Sequence, residues 1–178
     1  MLTRLKRISS KIKYSNPYWK YKYDKYTQPD GSPGEYHFVE TNGSTMIIPK
    51  SKNNTFVFIR QYRYLNQRES IEFPGGGIKE GNTPTENARE ELKEETGYES
   101  NNITKIGIFN PFNGVTNEIC NVFLASDLER SEPDPDRSEE FEIIELDKEK
   151  VFEYIRTGEI WDGMTLASWM LYHSSENR

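Results

Sequence analysis

Gly76–Tyr98, GGIKEGNTPTENAREELKEETGY, is the stretch whose reading decides the fold. Its centre is a helix with clear ends. Thr83 supplies an N-cap, Pro84 fits the first helical position, and Glu86 stands where a capping box places its acid. Gly97 suits the left-handed stop. The punctuation therefore predicts a helix over Pro84–Thr96. Ala88 and Leu92 lie one turn apart and mark its buried stripe. At about 100° per residue, Glu91 and Glu95 fall beside that stripe, Glu94 lies one step further round, and Glu90 sits on the outer flank.

Glu90/Glu94 and Glu91/Glu95 are like-charge pairs four residues apart. Each costs roughly 0.2–0.5 kcal/mol without a counter-ion. Lys93 lies on a different face from Glu91 and Glu95, so it cannot serve both. Such a run reads either as a solvated acidic face or as a cation site. Two features favour the cation. The acids border an apolar stripe, where desolvation penalises an uncompensated charge. Just upstream, Pro74-Gly75-Gly76-Gly77 reads as a glycine-rich turn that lets backbone approach a ligand closely. Carboxylates that bridge Mg2+ to substrate phosphates suit this setting.

Outward from the helix, strands and helices alternate. Tyr18–Tyr26 and Glu35–Glu40 read as a strand and its return across the turn cluster at Pro29–Gly34. Ser44–Ile48 reads as a third strand of the same small N-terminal sheet. Thr55–Tyr62 is a strong strand of β-branched and aromatic residues. Further strands are expected at Ile103–Phe109, Glu118–Ala125 and Phe141–Leu146, and helices at Lys148–Thr157 and Thr165–His173. Ser131–Arg137, with two prolines, reads as a loop. Mixed elements in this order predict an α/β (α+β) sandwich. The expected division is residues 1–49 as N-terminal strands and 50–178 as the main domain.

Composition narrows the function classes. The 178 residues fit one domain, 29% of them are charged, and the net charge is −6. That charge argues against a nucleic-acid partner gripped by general electrostatics. No apolar run approaches the ~20 residues needed to span a bilayer, so a membrane partner is not expected. Cys120 is the only cysteine. It allows no intramolecular disulfide and suits a reducing cytoplasm. The basic stretch Met1–Lys13 reads as a frayed, solvated tail, with a short targeting peptide as the other reading.

The opening stretch resembles the Nudix box: Gly, five residues, Glu, seven residues, then Arg-Glu-apolar-any-Glu-Glu-any-Gly-apolar. Gly76, Glu91, Leu92, Glu94, Glu95, Gly97 and Tyr98 fit in register. Two positions depart. Asn82 replaces the family's first Glu and Glu90 replaces its Arg, which by resemblance orients the metal-binding acids. Losing both together reads as a coupled change, and Glu90 becomes a candidate extra ligand.

The resemblance covers most of the chain. Arg60-Gln61-Tyr62-Arg63, Glu72-Phe73-Pro74-Gly75, Asn110–Gly114 through Glu118, and Gly158–Thr165 look like the ADP-ribose pyrophosphatase branch. It implies a Nudix-type α/β/α sandwich with a small N-terminal antiparallel sheet through which the chain forms a homodimer. It also implies hydrolysis of a nucleoside diphosphate sugar, ADP-ribose above all, to AMP and ribose 5-phosphate. The alternative is a catalytically weak nucleotide-sugar binding or sensor protein. Mg2+, or Mn2+, is the implied cofactor, with Glu91, Glu94, Glu95 and Gly76 as its set. Arg60, Arg63, Glu72, Pro111 and Glu118 are the candidate substrate contacts, and both arginines are read as sharing one strand face. The branch places a general-base Glu on a late loop. Glu139 is preferred over Glu140 for that role, with Glu118 as a further candidate.

Overall fold

Apolar side chains that alternate along two buried strands organise the body of the protein. The computed structural model describes residues 2–132 and 140–176. Along the chain run β1 (Lys6–Ser15), β2 (Lys20–Thr27), β3 (Pro33–Glu40), β4 (Ser44–Pro49), β5 (Phe56–Arg63), β6 (Arg68–Glu72) and β7 (Gly75–Gly77). Then come α1 (Pro84–Thr96), β8 (Tyr98–Glu99), β9 (Asn102–Phe109), β10 (Cys120–Ser126), β11 (Glu129–Arg130), β12 (Glu142–Leu146), α2 (Lys148–Thr157) and α3 (Gly163–Ser175).

One mixed sheet has the order β7-β4-β10-β9, with β4 and β10 parallel. Both of these strands are covered on both faces, as parallel strands require. On one face Ile47 of β4 and Phe123 and Ala125 of β10 pack on Ala88 and Leu92 of α1. On the other, Met46, Ile48, Cys120 and Val122 meet Phe56, Phe58, Ile71, Phe73, Trp169 and Tyr172. The second sheet, β12-β5-β6, and helix α3 close that side. A third sheet, β1-β2-β3, is antiparallel and joins the body where Val39 bridges Thr116 and the Tyr36 hydroxyl donates to the Gly114 carbonyl at 3.0 Å. Among the described residues no helix is long and apolar enough to cross a membrane.

The sandwich and all three helices match the sequence expectation, and α1 and α2 begin and end where expected. The ends are fixed locally. The Thr83–Glu86 capping box is fully formed, and Gly97 closes α1 at a left-handed φ of 64°. Three expectations fail. The basic tail is not frayed, because Lys6–Ser15 pairs with β2 along its length. Ser44–Pro49 is not part of the N-terminal sheet but a central strand of the body. The glycine cluster is not only a turn: Gly75–Gly77 pairs with Met46, Thr45 and Ser44. Each failure concerns a non-local pairing, which residue type alone does not specify.

Candidate active site

The site is built where α1 crosses β7. Glu91 and Glu95 lie on the buried side of α1, at 8% and 6% exposure. Glu95 accepts from the Gly75 backbone N–H at 2.8 Å. Glu91 lies against Gly76, where a Cβ would come within 2.6 Å of its Oε1. Asn87 is fully buried beside it. The Asn87 side-chain amide donates to Thr45 Oγ1 at 3.0 Å and its carbonyl accepts from the Lys79 backbone N–H at 3.0 Å. The acids placed on one helix face by periodicity thus front a strand without side chains.

Glu94 is half-buried and engaged by the chain itself. Lys79 Nζ lies 2.9 Å from both of its oxygens and 3.5 Å from Glu90 Oε2. Partial burial is the largest single influence and works against the Lys79 charge, but the Glu94 hydrogen bond and the Coulombic support of Glu94, Glu91 and Glu90 together outweigh it, so its pKa is raised. Glu90 Oε2 also accepts from the Asn82 amide at 2.9 Å. The two positions that depart from the box pattern therefore touch each other. Among the described residues no three of these acids already form a cluster shaped for an ion.

Gly76→Ala tests the fit of Glu91 to this strand. The three atoms nearest the added methyl all belong to the Glu91 carboxylate, the far end of a flexible side chain, so the fold should survive while the carboxylate moves. We expect kcat/KM to fall by about a hundredfold, as a misplacement of roughly 1 Å can cost, with little change in melting temperature. An unchanged kcat/KM would separate Glu91 from the chemistry. At Gly75 the added atom meets the Thr45 carbonyl, which cannot yield as a side chain can.

The other candidates separate. Arg60 and Arg63 do not share a face, because residues three apart on a period-two strand point to opposite sides. Arg60 pairs with Glu142, directly across from it, at 2.9 Å. Arg63 pairs through two nitrogens with Glu72, which is 3% exposed. The Glu72 hydrogen bond holds the Arg63 charge firmly in place. Asp162 shares this neighbourhood. Burial raises its pKa, Glu72 adds to the rise, and its Oδ2 caps α3 by accepting from Thr165 N–H at 2.7 Å. Glu118 accepts from Ser44 Oγ at 2.6 Å, and Ser44 pairs with Gly77. Pro111 is half-buried just after β9. Glu140 is exposed before β12, and Glu139 lies outside the described residues.

Sequence reasoning missed Lys79, Asn87 and Asp162. Lys79 stands between the glycines and the helix, and its reach to α1 exists only once β7 docks. The Cys120 thiol is buried, which pushes its pKa up to about 12 and leaves it unreactive.

Known proteins resemble this chain. Residues 41–159 match the NUDIX domain family. The chain is 30% identical over 141 residues to the ADP-ribose pyrophosphatase of Bacillus subtilis (strain 168), covering 77% of this chain and 75% of that one. It is 28% identical over 163 residues to the methanol dehydrogenase activator of Bacillus methanolicus, covering 90% and 88%. It is 33% identical over 133 residues to the GDP-mannose pyrophosphatase of Escherichia coli O1:K1 / APEC, covering 70% of each. A crystal structure of an ADP compounds hydrolase superposes with a TM-score of 0.86 at 18% identity, covering 98% of this chain and 95% of that one. The box register, the sandwich around it and the domain match over most of the chain agree: this protein belongs to the Nudix family.

Proposed function

We propose that the chain hydrolyses the pyrophosphate bond of a nucleoside diphosphate sugar, with ADP-ribose its leading substrate and AMP and ribose 5-phosphate its products. The observation that carries this reading is the ridge of Glu91, Glu94 and Glu95 set against the side-chain-free strand β7. Its relatives named as ADP-ribose and GDP-mannose pyrophosphatases support the substrate class.

The donor set fits a divalent cation. Carboxylate and carbonyl oxygens are the ligands that Mg2+ and Mn2+ prefer, and the missing Cβ of Gly76 leaves room beside Glu91. In this proposal Glu91, Glu94, Glu95 and the Gly76 carbonyl hold it. When bound, the cation neutralises the diphosphate and polarises its phosphoryl oxygens. The protein's own residues do the rest. Arg63, pre-set by Glu72, offers its remaining N–H groups to a phosphate. Arg60, Pro111 and Glu118 complete the substrate set. Glu139 or Glu140, which precede β12 in the sequence, or Glu118, takes the proton of the attacking water.

Two further assignments belong to the proposal. The N-terminal sheet is the dimerisation arm, since β1 exposes Ile8, Ile12 and Tyr14. The boundary of that arm falls before β4 rather than after it. The protein is placed in the cytoplasm, which suits a single buried thiol.

The experiment is a panel of nucleoside diphosphate sugars with Mg2+ or Mn2+, analysed for released nucleotide. ADP-ribose should release AMP with the highest kcat/KM, ahead of GDP-mannose. The exchange at Asn82 and Glu90 favours a second reading, a nucleotide-sugar sensor with little turnover. Ligand binding without any released nucleotide would establish it instead.

A further inference from the structure

Lys79 stands where this chain has rebuilt the charge balance of its acidic ridge. The box pattern places a cation on the helix at position 90, but here that position is acidic and the cation comes from the loop after β7. The loop is anchored at its backbone, because Lys79 N–H donates to the buried Asn87, which is itself fixed to Thr45. The side chain is not anchored in the same way. Its ammonium ends a flexible four-carbon stem, is half exposed, and has two carboxylates within one swing. It grips both oxygens of Glu94 at 2.9 Å and stands 3.5 Å from Glu90. Asn82 holds Glu90 in place as the second station, at 2.9 Å.

A ligand that must give up an internal partner binds a cation more weakly than a free one. A charged partner leaves more readily when a second carboxylate stands ready to receive it. We propose that Lys79 is the resident counter-ion of Glu94, competing with the divalent cation and transferring to Glu90 when that cation binds. This rests on the reading of Glu94 as a metal ligand. It gives Asn82 and Glu90 a joint purpose: together they form the station that receives the ammonium. Lys79 is thus a positioning residue that sets the metal affinity of the site.

The test is a Mn2+ titration of the full chain, following free Mn2+ by electron paramagnetic resonance, with circular dichroism to confirm folding. K79Q should bind Mn2+ about two- to fivefold tighter, the factor that a partly exposed ion pair is worth. K79R, which keeps the charge, should stay near the wild type. E90Q should weaken Mn2+ binding by a similar factor while Lys79 is present, because the ammonium loses its second station. In a K79Q background, E90Q should have almost no effect. That coupling separates transfer from simple electrostatics, for which the two changes would add. Unchanged or weaker binding in K79Q overturns the proposal. So does an equal loss from E90Q in both backgrounds, which would make Glu90 an ordinary ligand. If E94Q leaves Mn2+ binding unaltered, or the wild type binds none, the metal reading of Glu94 itself fails and this proposal fails with it.

Discussion

Glu94→Gln is expected to lower the turnover of ADP-ribose by about three orders of magnitude while the chain stays folded. The substitution keeps the shape of the side chain and removes one ligand charge. Cation stabilisation of phosphoryl transfer is worth several kcal/mol, and about 4 kcal/mol corresponds to roughly a thousandfold. The structural cost is small by comparison. Glu94 is half-buried, and its ion pair with Lys79 is of the exposed kind, worth at most about 1 kcal/mol. The change also relieves the like-charge pair with Glu90 one turn away, a gain of a few tenths of a kcal/mol, roughly 0.2–0.5. Steady-state kcat at saturating Mg2+, together with a thermal melt, checks both halves. An unchanged rate removes Glu94 from the metal set. An unchanged rate at Glu94 with a fall at Glu91 or Glu95 would move the site along the helix rather than abolish it.

Trp169→Ala carries the largest effect on stability. Trp169 is 3% exposed and sits among Phe56, Phe152 and Tyr172, with ring centroids at 4.9, 5.7 and 5.4 Å. Emptying that space should cost about 3–5 kcal/mol. For a domain of this size it should lower the melting temperature by roughly 10 °C. The loss reaches the site, because α3 carries Thr165, whose hydroxyl accepts from the Phe73 N–H just before β7. Trp169→Phe should behave differently. The indole N–H has no partner among the described residues, so phenylalanine fills most of the volume and removes a buried, unpaired donor. Its cost should stay near or below about 1.5 kcal/mol. Chemical denaturation of both variants measures the difference. A small loss in Trp169→Ala would mean that α3 contributes little to the seat of β7.

Local chemistry was legible and long-range pairing was not. The capping residues of α1 act on neighbours three or four positions away, so Thr83, Glu86 and Gly97 mark the helix without reference to the rest of the chain. The same holds for Asp147 and Gly158 around α2. The acidic ridge follows from helical period alone. Lys6–Ser15 was not legible as a strand, because all ten of its residues are exposed and its partner is β2 rather than a core face. Arg60 and Arg63, read as alternating with Gln61 and Tyr62 onto one face, stand three residues apart, so a strand's two-residue period separates them and delivers each to a different acid.

What the residues determined unaided is the helix and the spacing of its carboxylates, because each depends on contacts within one or two helical turns, and the family they resemble, because a motif is read directly along the chain. Tertiary structure decided the surroundings of those carboxylates. Docking β7 against β4 put Gly76 opposite Glu91, brought Lys79 onto Glu94, and joined Asn82 to Glu90. No local propensity encodes those meetings. They exist because the apolar faces of α1, β4 and β10 must be buried together, and burying them fixes where the loop between glycine strand and helix can lie.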